Sequence, residues 1–220
     1  MTHRTRTTTS PVEALIVCTI CFGWAIVAST LAMISSSHGG AGSATFSDQT
    51  FQGTIFWEVL FAATAITFLY MRGFAINTLY PAPTATGFLI GIALFVANLV
   101  AYECLFYPFT QQIATQPITA MVAQAHFTAP WLVAGAIVNG AFEEIFLLGF
   151  LARGLRKHGQ AVAIGISLLV RILYHSYQGP FGMLAVLAFG LVLSVYFAAT
   201  NKLYPVVFAH IIADIVPFAH

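Results

Sequence analysis

The chain has 220 residues, of which 59% are hydrophobic and only 7% are charged, and its formal net charge is +1. A soluble domain carries about 25% charged residues, so this composition predicts a polytopic membrane protein. Eight Lys and Arg residues in total cannot form a basic stripe that follows a phosphate backbone, which excludes nucleic acid as an expected partner.

Apolar runs long enough to cross a bilayer follow one another along the chain. A helix of about 17 to 25 apolar residues spans the hydrocarbon core. The segment 113–129 is too polar for such a span and is predicted to be an amphipathic or re-entrant helix, which leaves an eighth crossing open. We predict an all-α protein with about seven membrane helices (six to eight), at about 14–34, 54–71, 86–107, 131–152, 160–175, 181–199 and 203–218.

The distribution of positive charge predicts the topology and the division of the chain. Every Lys and Arg cluster falls on one side of the seven predicted spans, and cytoplasmic loops are enriched in these residues. The N-terminus is therefore expected in the cytoplasm, and the short loops are typical of a protein of the bacterial plasma membrane. We predict a cytoplasmic tail at 1–12, N-terminal transmembrane helices at 13–110 and a C-terminal transmembrane core at 111–220, which contains the candidate site residues described next.

Two adjacent glutamates interrupt an otherwise apolar stretch, AIVNGAFEEIFLLGFLARGL. A charged residue at the centre of a membrane helix costs about 2.5 to 3.5 kcal/mol, and such a residue marks a functional site by default. Glu143 and Glu144 are therefore taken as the centre of function.

Two further helices each carry a pair of ionisable residues on one face. Arg171 and His175 are four residues apart, as are His210 and Asp214, so each pair shares a helix face. At 1.5 Å per residue, Glu143 and the two histidines lie about 12 to 22 Å from the inner helix ends. We expect them to meet in one hydrated cluster near the bilayer midplane, because isolated charges there would be too costly.

Such a cluster can perform hydrolysis in two ways. A carboxylate or imidazole can take a proton from water that attacks a peptide carbonyl, while positioned donors hold the oxyanion. Alternatively, the Glu, His and Asp side chains can bind zinc, which lowers the pKa of bound water. No Ser or Cys stands beside a base as a convincing nucleophile, so the sequence favours activated water and leaves both routes open.

The three segments FEEIFLLGFLARGLRKHG, LLVRILYHSYQG and LYPVVFAHIIAD resemble the three motifs of the CAAX protease and bacteriocin-processing (CPBP or Abi) family of intramembrane proteases. The resemblance covers about residues 130–216. It implies an intramembrane endopeptidase acting on a peptide or a lipidated, prenylated protein, with membrane lipid as its surroundings. Carried across to this sequence, Glu143 is the base and Glu144 supports it. His175 is the partner of the water, and His210 with Asp214 stabilises the oxyanion or binds the metal. If a metal such as zinc is present, its implied ligands come from Glu143, His175, His210 and Asp214.

The chain departs from the family pattern at three positions. Leu148 stands where the first motif usually has Arg, and Arg171 stands where the second motif commonly has Phe, so we expect Arg171 to replace the missing cation from the next helix. Asp214 stands where prenyl endopeptidases typically have Asn. Three roles remain open for it: a protonated donor, a metal ligand, or a residue that orients His210.

Two other classes of function compete with the protease. Chains of Glu, His and Asp in membranes also occur in proton-coupled transporters. A non-proteolytic bacteriocin-immunity protein or scaffold could keep the family fold. Glu58 and Glu103 lie near the outer ends of their predicted spans, and we expect both to extend to the membrane interface.

Overall fold

The computed structural model describes residues 6–37, 45–109 and 116–218, and these residues are almost entirely helical. The predicted all-α fold is confirmed. The helices are α1 (Pro11–Ser37), α2 (Asp48–Met71), α3 (Ala85–Phe106), α4 (Pro117–Ala123), α5 (Ala129–Glu144), α6 (Gln160–Tyr174), α7 (Pro180–Thr200) and α8 (Leu203–Ile215).

The helix boundaries follow from local chemistry. The side chain of Ser47 accepts a hydrogen bond from the backbone N–H of Thr50 at the start of α2, and Thr84 accepts one from Gly87 at the start of α3. Prolines occupy the first turn of α5 and α7, where no backbone donor is lost. Asn201 adopts the left-handed conformation that ends α7.

Among the described residues, five helices are long and apolar enough to cross a membrane, judged by length and composition. The helices at 160–174 and 203–218 are apolar but shorter. The number of crossings and the orientation therefore stay predictions. The segment predicted as amphipathic or re-entrant contains the short helix α4, and its residues 113–115 lie outside the described ones.

Helix α5 lies at the centre of the packing. It contacts α2 and α8, and α8 in turn packs against α3. Helix α6 packs against α1 and α7. The site described below lies where α5, α6 and α8 meet.

The helix that begins as α5 changes from α-helix to π-helix directly after the two glutamates. Residues Ile145–Ala152 form a π-helix, which continues into Arg153–Leu155 without a break. Its side chains from 146 to 152 are all buried, as expected of a helix that is apolar on every face. Phe146 and Phe150 pack into one apolar cluster with α1 and α2, whereas Leu148 packs into a second cluster with α7 and α8. The π-helix thus joins the two cores and fixes the end of α5 between them.

Candidate active site

Glu143 and Glu144 lie at the last turn of α5, deep inside the bundle. Their exposed fractions are 4% and 0%. Because consecutive helical residues point about 100° apart, the two carboxylates meet different neighbours. Polar side chains from α6 and α8 surround both of them.

Arg171 of α6 binds both carboxylates. Its Nη2 donates to Glu144 Oε1 at 2.7 Å, and its Nη1 donates to Glu143 Oε2 at 3.4 Å. The guanidinium is itself buried, with 1% of the residue exposed. The position where the family usually has its arginine, Leu148, is fully buried in the apolar core. Arg171 therefore brings a positive charge to both glutamates from the next helix.

His210 of α8 contacts the same pair of carboxylates from another helix. Its Nδ1 donates to Glu144 Oε1 at 2.6 Å, and its Nε2 lies 3.7 Å from Glu143 Oε2. Gly140 allows this approach, because a Cβ there would lie 3.1 Å from the backbone N of Ile211 and 3.4 Å from Cβ of His210. The close crossing of α5 and α8 brings the imidazole to the glutamates.

Asp214 lies one turn beyond His210, at the edge of the cluster. Its Oδ1 lies 3.5 Å from Nε2 of His210, and its Oδ2 accepts a hydrogen bond from Nδ2 of Asn139 at 2.9 Å. Its side chain is 27% exposed. Of the three roles left open by the sequence, these contacts favour the one in which Asp214 orients His210. Sequence reasoning missed Asn139, whose only signal is its position four residues before Glu143.

The end of α6 adds a tyrosine to the site and places His175 beside it. The hydroxyl of Tyr174 donates to Glu143 Oε2. His175 follows the last residue of α6, and its Nδ1 donates to the carbonyl of Arg171 at 3.0 Å, which leaves Nε2 as the acceptor of the neutral ring. The ring lies 4.4 Å from the ring of Tyr174, and it interacts electrostatically with Glu143.

A hydroxyl from α1 holds the loop that carries His175. Ser29 Oγ accepts hydrogen bonds from the Ser176 hydroxyl at 3.1 Å and from the backbone N–H of Tyr177 at 2.9 Å. Ser29 and Ser176 are both buried. The first helix of the chain therefore takes part in positioning the second motif.

Three ligand atoms of the cluster lie close enough together to hold a metal ion. One atom each of Glu143, Glu144 and His210 falls within 4.8 Å of the others. Neither His175 nor Asp214, which the resemblance included among the implied ligands, falls in this group. Two carboxylates and an imidazole suit zinc, and Glu144 Oε2 is buried without a hydrogen-bond partner among the described residues. Arg171, however, already supplies positive charge to both carboxylates.

Residues 124–216 match the family model described as type II CAAX prenyl endopeptidase, Rce1-like. This region is Rce1-like. The match confirms the family that the three motifs indicated, and it contains the buried cluster of α5, α6 and α8. Neither the comparison with curated proteins nor the comparison with solved structures found a match.

The Rce1-like family indicates a protease of the CAAX type. Together with the apolar helices, it indicates an integral membrane protein that acts on a peptide or a lipidated protein. The α1 and α2 helices lie outside the matched region, although both pack against it.

Proposed function

We propose that this Rce1-like protein is an intramembrane endopeptidase that hydrolyses a peptide bond of a membrane-associated or prenylated peptide substrate with a water activated by Glu143. One observation carries the proposal: two buried glutamates, a buried arginine and a buried histidine from three helices contact one another inside an apolar bundle. Burial of so many ionisable groups is costly and is retained for function.

Glu143 acts as the general base. It takes a proton from water, whose oxygen bonds to the carbonyl carbon of the substrate, and it returns the proton to the leaving nitrogen as the C–N bond breaks. The hydroxyl of Tyr174 and the guanidinium of Arg171 hold the Glu143 carboxylate in place. His175 is the partner that orients the water, through Nε2, the acceptor nitrogen of its neutral ring.

The polar groups on α8 stabilise the transition state. As an imidazolium, His210 carries a proton on both ring nitrogens, so Nε2 can donate to the oxyanion while Nδ1 donates to Glu144. Asp214 orients the ring from one turn away. Glu144 supports this arrangement because its Oε1 accepts from both Arg171 and His210 Nδ1. Glu144 is thus a positioning residue that ties the helices of the site together.

The decisive experiment is the cleavage of a membrane-anchored peptide by the purified protein, with and without a prenyl group on the peptide. We expect Glu143→Gln to remain folded and to lose cleavage by at least about 10²-fold, since general base catalysis contributes about 10² to 10⁴. Glu103→Gln is the matched control, because Glu103 also lies in an apolar helix but is exposed. Cleavage retained by Glu143→Gln would refute the proposal, and a wild-type protein that binds the peptide without cleaving it would favour a non-proteolytic scaffold.

A metal ion held by residues of the same cluster would provide a second way to activate the water. Glu143, Glu144 and His210 would hold it, and a zinc ion would lower the pKa of bound water. Because Arg171 already places a cation beside both carboxylates, we propose that the chemistry proceeds without a metal. We therefore expect a chelator to leave cleavage and the melting temperature unchanged. Loss of both with a chelator, and recovery with added zinc, would contradict this expectation.

A further inference from the structure

Two adjoining cavities lie at the end of the bundle that the charge distribution assigns to the cytoplasm. The first has a volume of about 290 Å³ and lies between the start of α3 and the start of α8. The second has a volume of about 670 Å³ and borders the N-terminal segment at residues 7–8. Both are lined by the same three residues, Thr78, Arg153 and Asn201. The two cavities together therefore form one recess at the surface of the bundle.

Four positively charged side chains line this recess, and no acidic residue does. Three of them follow the π-helix and the fourth lies between α7 and α8; they are Arg153, Arg156, Lys157 and Lys202. None of the four forms a salt bridge within the described part of the chain. We call this feature the basic recess.

The chain has no acidic residue to spare for the basic recess. Of its seven acidic residues, Glu13 lies at this end of the bundle, where it is bound by Arg6 and Arg72. The other six lie in the interior or at the opposite ends of α2 and α3: Glu58, Glu143, Glu144, Asp214, Asp48 and Glu103. The enrichment of cytoplasmic segments in Lys and Arg explains on which side the four cations lie, but it does not require them to converge on a cavity.

Arg153 is held in place by neutral groups. Its Nη1 donates to the carbonyls of Thr78 and Gly149, and its Nη2 donates to the carbonyl of Asn201 at 3.3 Å. The guanidinium carbon lies 5.1 Å from the centre of the Phe197 ring. These contacts fix the guanidinium and leave its charge without a counterion. A fixed guanidinium loses little conformational entropy when it binds a phosphate.

The apolar side of the basic recess favours a phosphate that belongs to a lipid. Ile90, Leu203 and Pro205 line the first cavity beside the cations. Helix α3 continues from this point with few buried residues, and the side chains of Leu89 and Ile92 are exposed on it. Acyl chains joined to a phosphate in the recess would lie along α3, on a surface that already faces the bilayer in the predicted arrangement.

We propose that the basic recess binds the phosphate of an anionic phospholipid from the adjacent membrane leaflet, with Arg153 and Arg156 as the main donors and the acyl chains along α3. Arginine matches the geometry of phosphate, while Lys157 and Lys202 add positive charge. A zwitterionic headgroup such as choline brings its own cation towards four others, so the recess selects against it. This binding site does not depend on the proposed protease function.

The test measures the binding of fluorescently labelled lipids to the delipidated full-length protein in neutral detergent. Phosphatidylglycerol should bind at least about tenfold more tightly than phosphatidylcholine with the same acyl chains. Arg156→Gln should raise the Kd for phosphatidylglycerol by at least about fivefold. Arg72→Gln is the matched control, because it removes one positive charge from the same end of the bundle but lies outside the recess, and it should change the Kd less than about twofold. Equal losses in the two variants would show diffuse attraction to negative charge and overturn the site.

A second variant and a second ligand complete the test. Lys202 is exposed and lines the first cavity, so Lys202→Gln should keep the fold and also weaken phosphatidylglycerol binding more than Arg72→Gln does. Phosphatidylglycerol should raise the melting temperature of the wild-type protein more than that of either recess variant, because a ligand stabilises the state that binds it. Inorganic phosphate should displace the lipid only at concentrations at least about 100-fold higher. Displacement at equal concentration would overturn the lipid as the occupant, whereas loss of cleavage in Glu143→Gln should leave all of these measurements unchanged.

Discussion

Arg171 is the residue on which the charge balance of the cluster depends. Its buried guanidinium contacts both Glu143 and Glu144. Removing one partner from a buried ion pair costs about 3 to 5 kcal/mol, because the other charges stay buried without compensation. The guanidinium also reaches both carboxylates at once, which a single ammonium group cannot do in the same geometry.

Arg171→Gln should therefore lower the free energy of unfolding by about 3 to 5 kcal/mol and abolish peptide cleavage. Arg171→Lys should destabilise the protein less, because it keeps the charge but loses one of the two contacts. Thermal unfolding in detergent measures both variants, with Lys157→Gln as the exposed control. Wild-type stability and activity in Arg171→Gln would show that another group supplies the charge.

The charged residues of the site could be predicted from the sequence, but their uncharged partners could not. Charge inside an apolar run is rare enough to identify Glu143 and Arg171 without a structure. Asn139 and Tyr174 carry no such signal, since hydroxyl and amide side chains are common in membrane helices. The sequence places Glu58 at the membrane interface, whereas its Oε2 is buried. This burial depends on how α2 is rotated against α5, which the position of a residue along its helix does not reveal.

At the scale of the elements, the crossing of α5 and α8 controls the site. Gly140 is the point of contact, because it leaves room for the backbone of Ile211 and for the Cβ of His210. Overpacking at such a contact typically lowers the free energy of unfolding by about 1 to 3 kcal/mol, since the two helices must move apart.

Gly140→Ala should lower stability by about 1 to 3 kcal/mol and reduce cleavage more than this loss explains, because it moves His210 away from Glu144. Gly165→Ala is the control: Gly165 is also helical, but a Cβ there meets nothing within 4 Å. Melting temperature and kcat/KM measured together distinguish the loss of stability from the loss of catalytic geometry. Equal behaviour of the two alanine variants would mean that α5 and α8 adjust freely.

The helices themselves could largely be predicted, and their exact form could not. The predicted span at 14–34 corresponds to Pro11–Ser37, and the one at 181–199 to Pro180–Thr200. These ends follow from proline and apolar length. The predicted span at 131–152 contains a change from α- to π-helix, for which an apolar run gives no sign, because tertiary packing decides it.

At the scale of the whole molecule, the N-terminal helices complete the site. Ser29 of α1 holds the loop of His175, and α2 packs against α5. The tail is joined to the bundle as well, since the Arg6 backbone pairs with Gly73 and Ala75. We propose that the tail at 1–12, the helices at 13–110 and the core at 111–220 form one folding unit.

Residues 111–220 expressed alone should therefore be unstable and inactive, because the faces of α5 and α6 that pack against α2 and α1 would lose their partners. Co-expression of 1–110 as a separate chain should restore folding and cleavage. Protease resistance and peptide cleavage in membranes test both expectations. A core fragment that is active alone would show that the N-terminal half is dispensable.

The π-helix after Glu144 makes this helix tolerant of the loss of one residue. A π turn holds one residue more than an α turn, so deleting Leu147 lets the backbone return to regular α form. Both kinds of turn complete one rotation about the axis, so the helix before the deletion keeps approximately its orientation relative to the segment after it. The shortened chain should therefore still insert, melt cooperatively and keep its glutamates facing Arg171. The π segment is thus a place where relatives of different length can keep the same site.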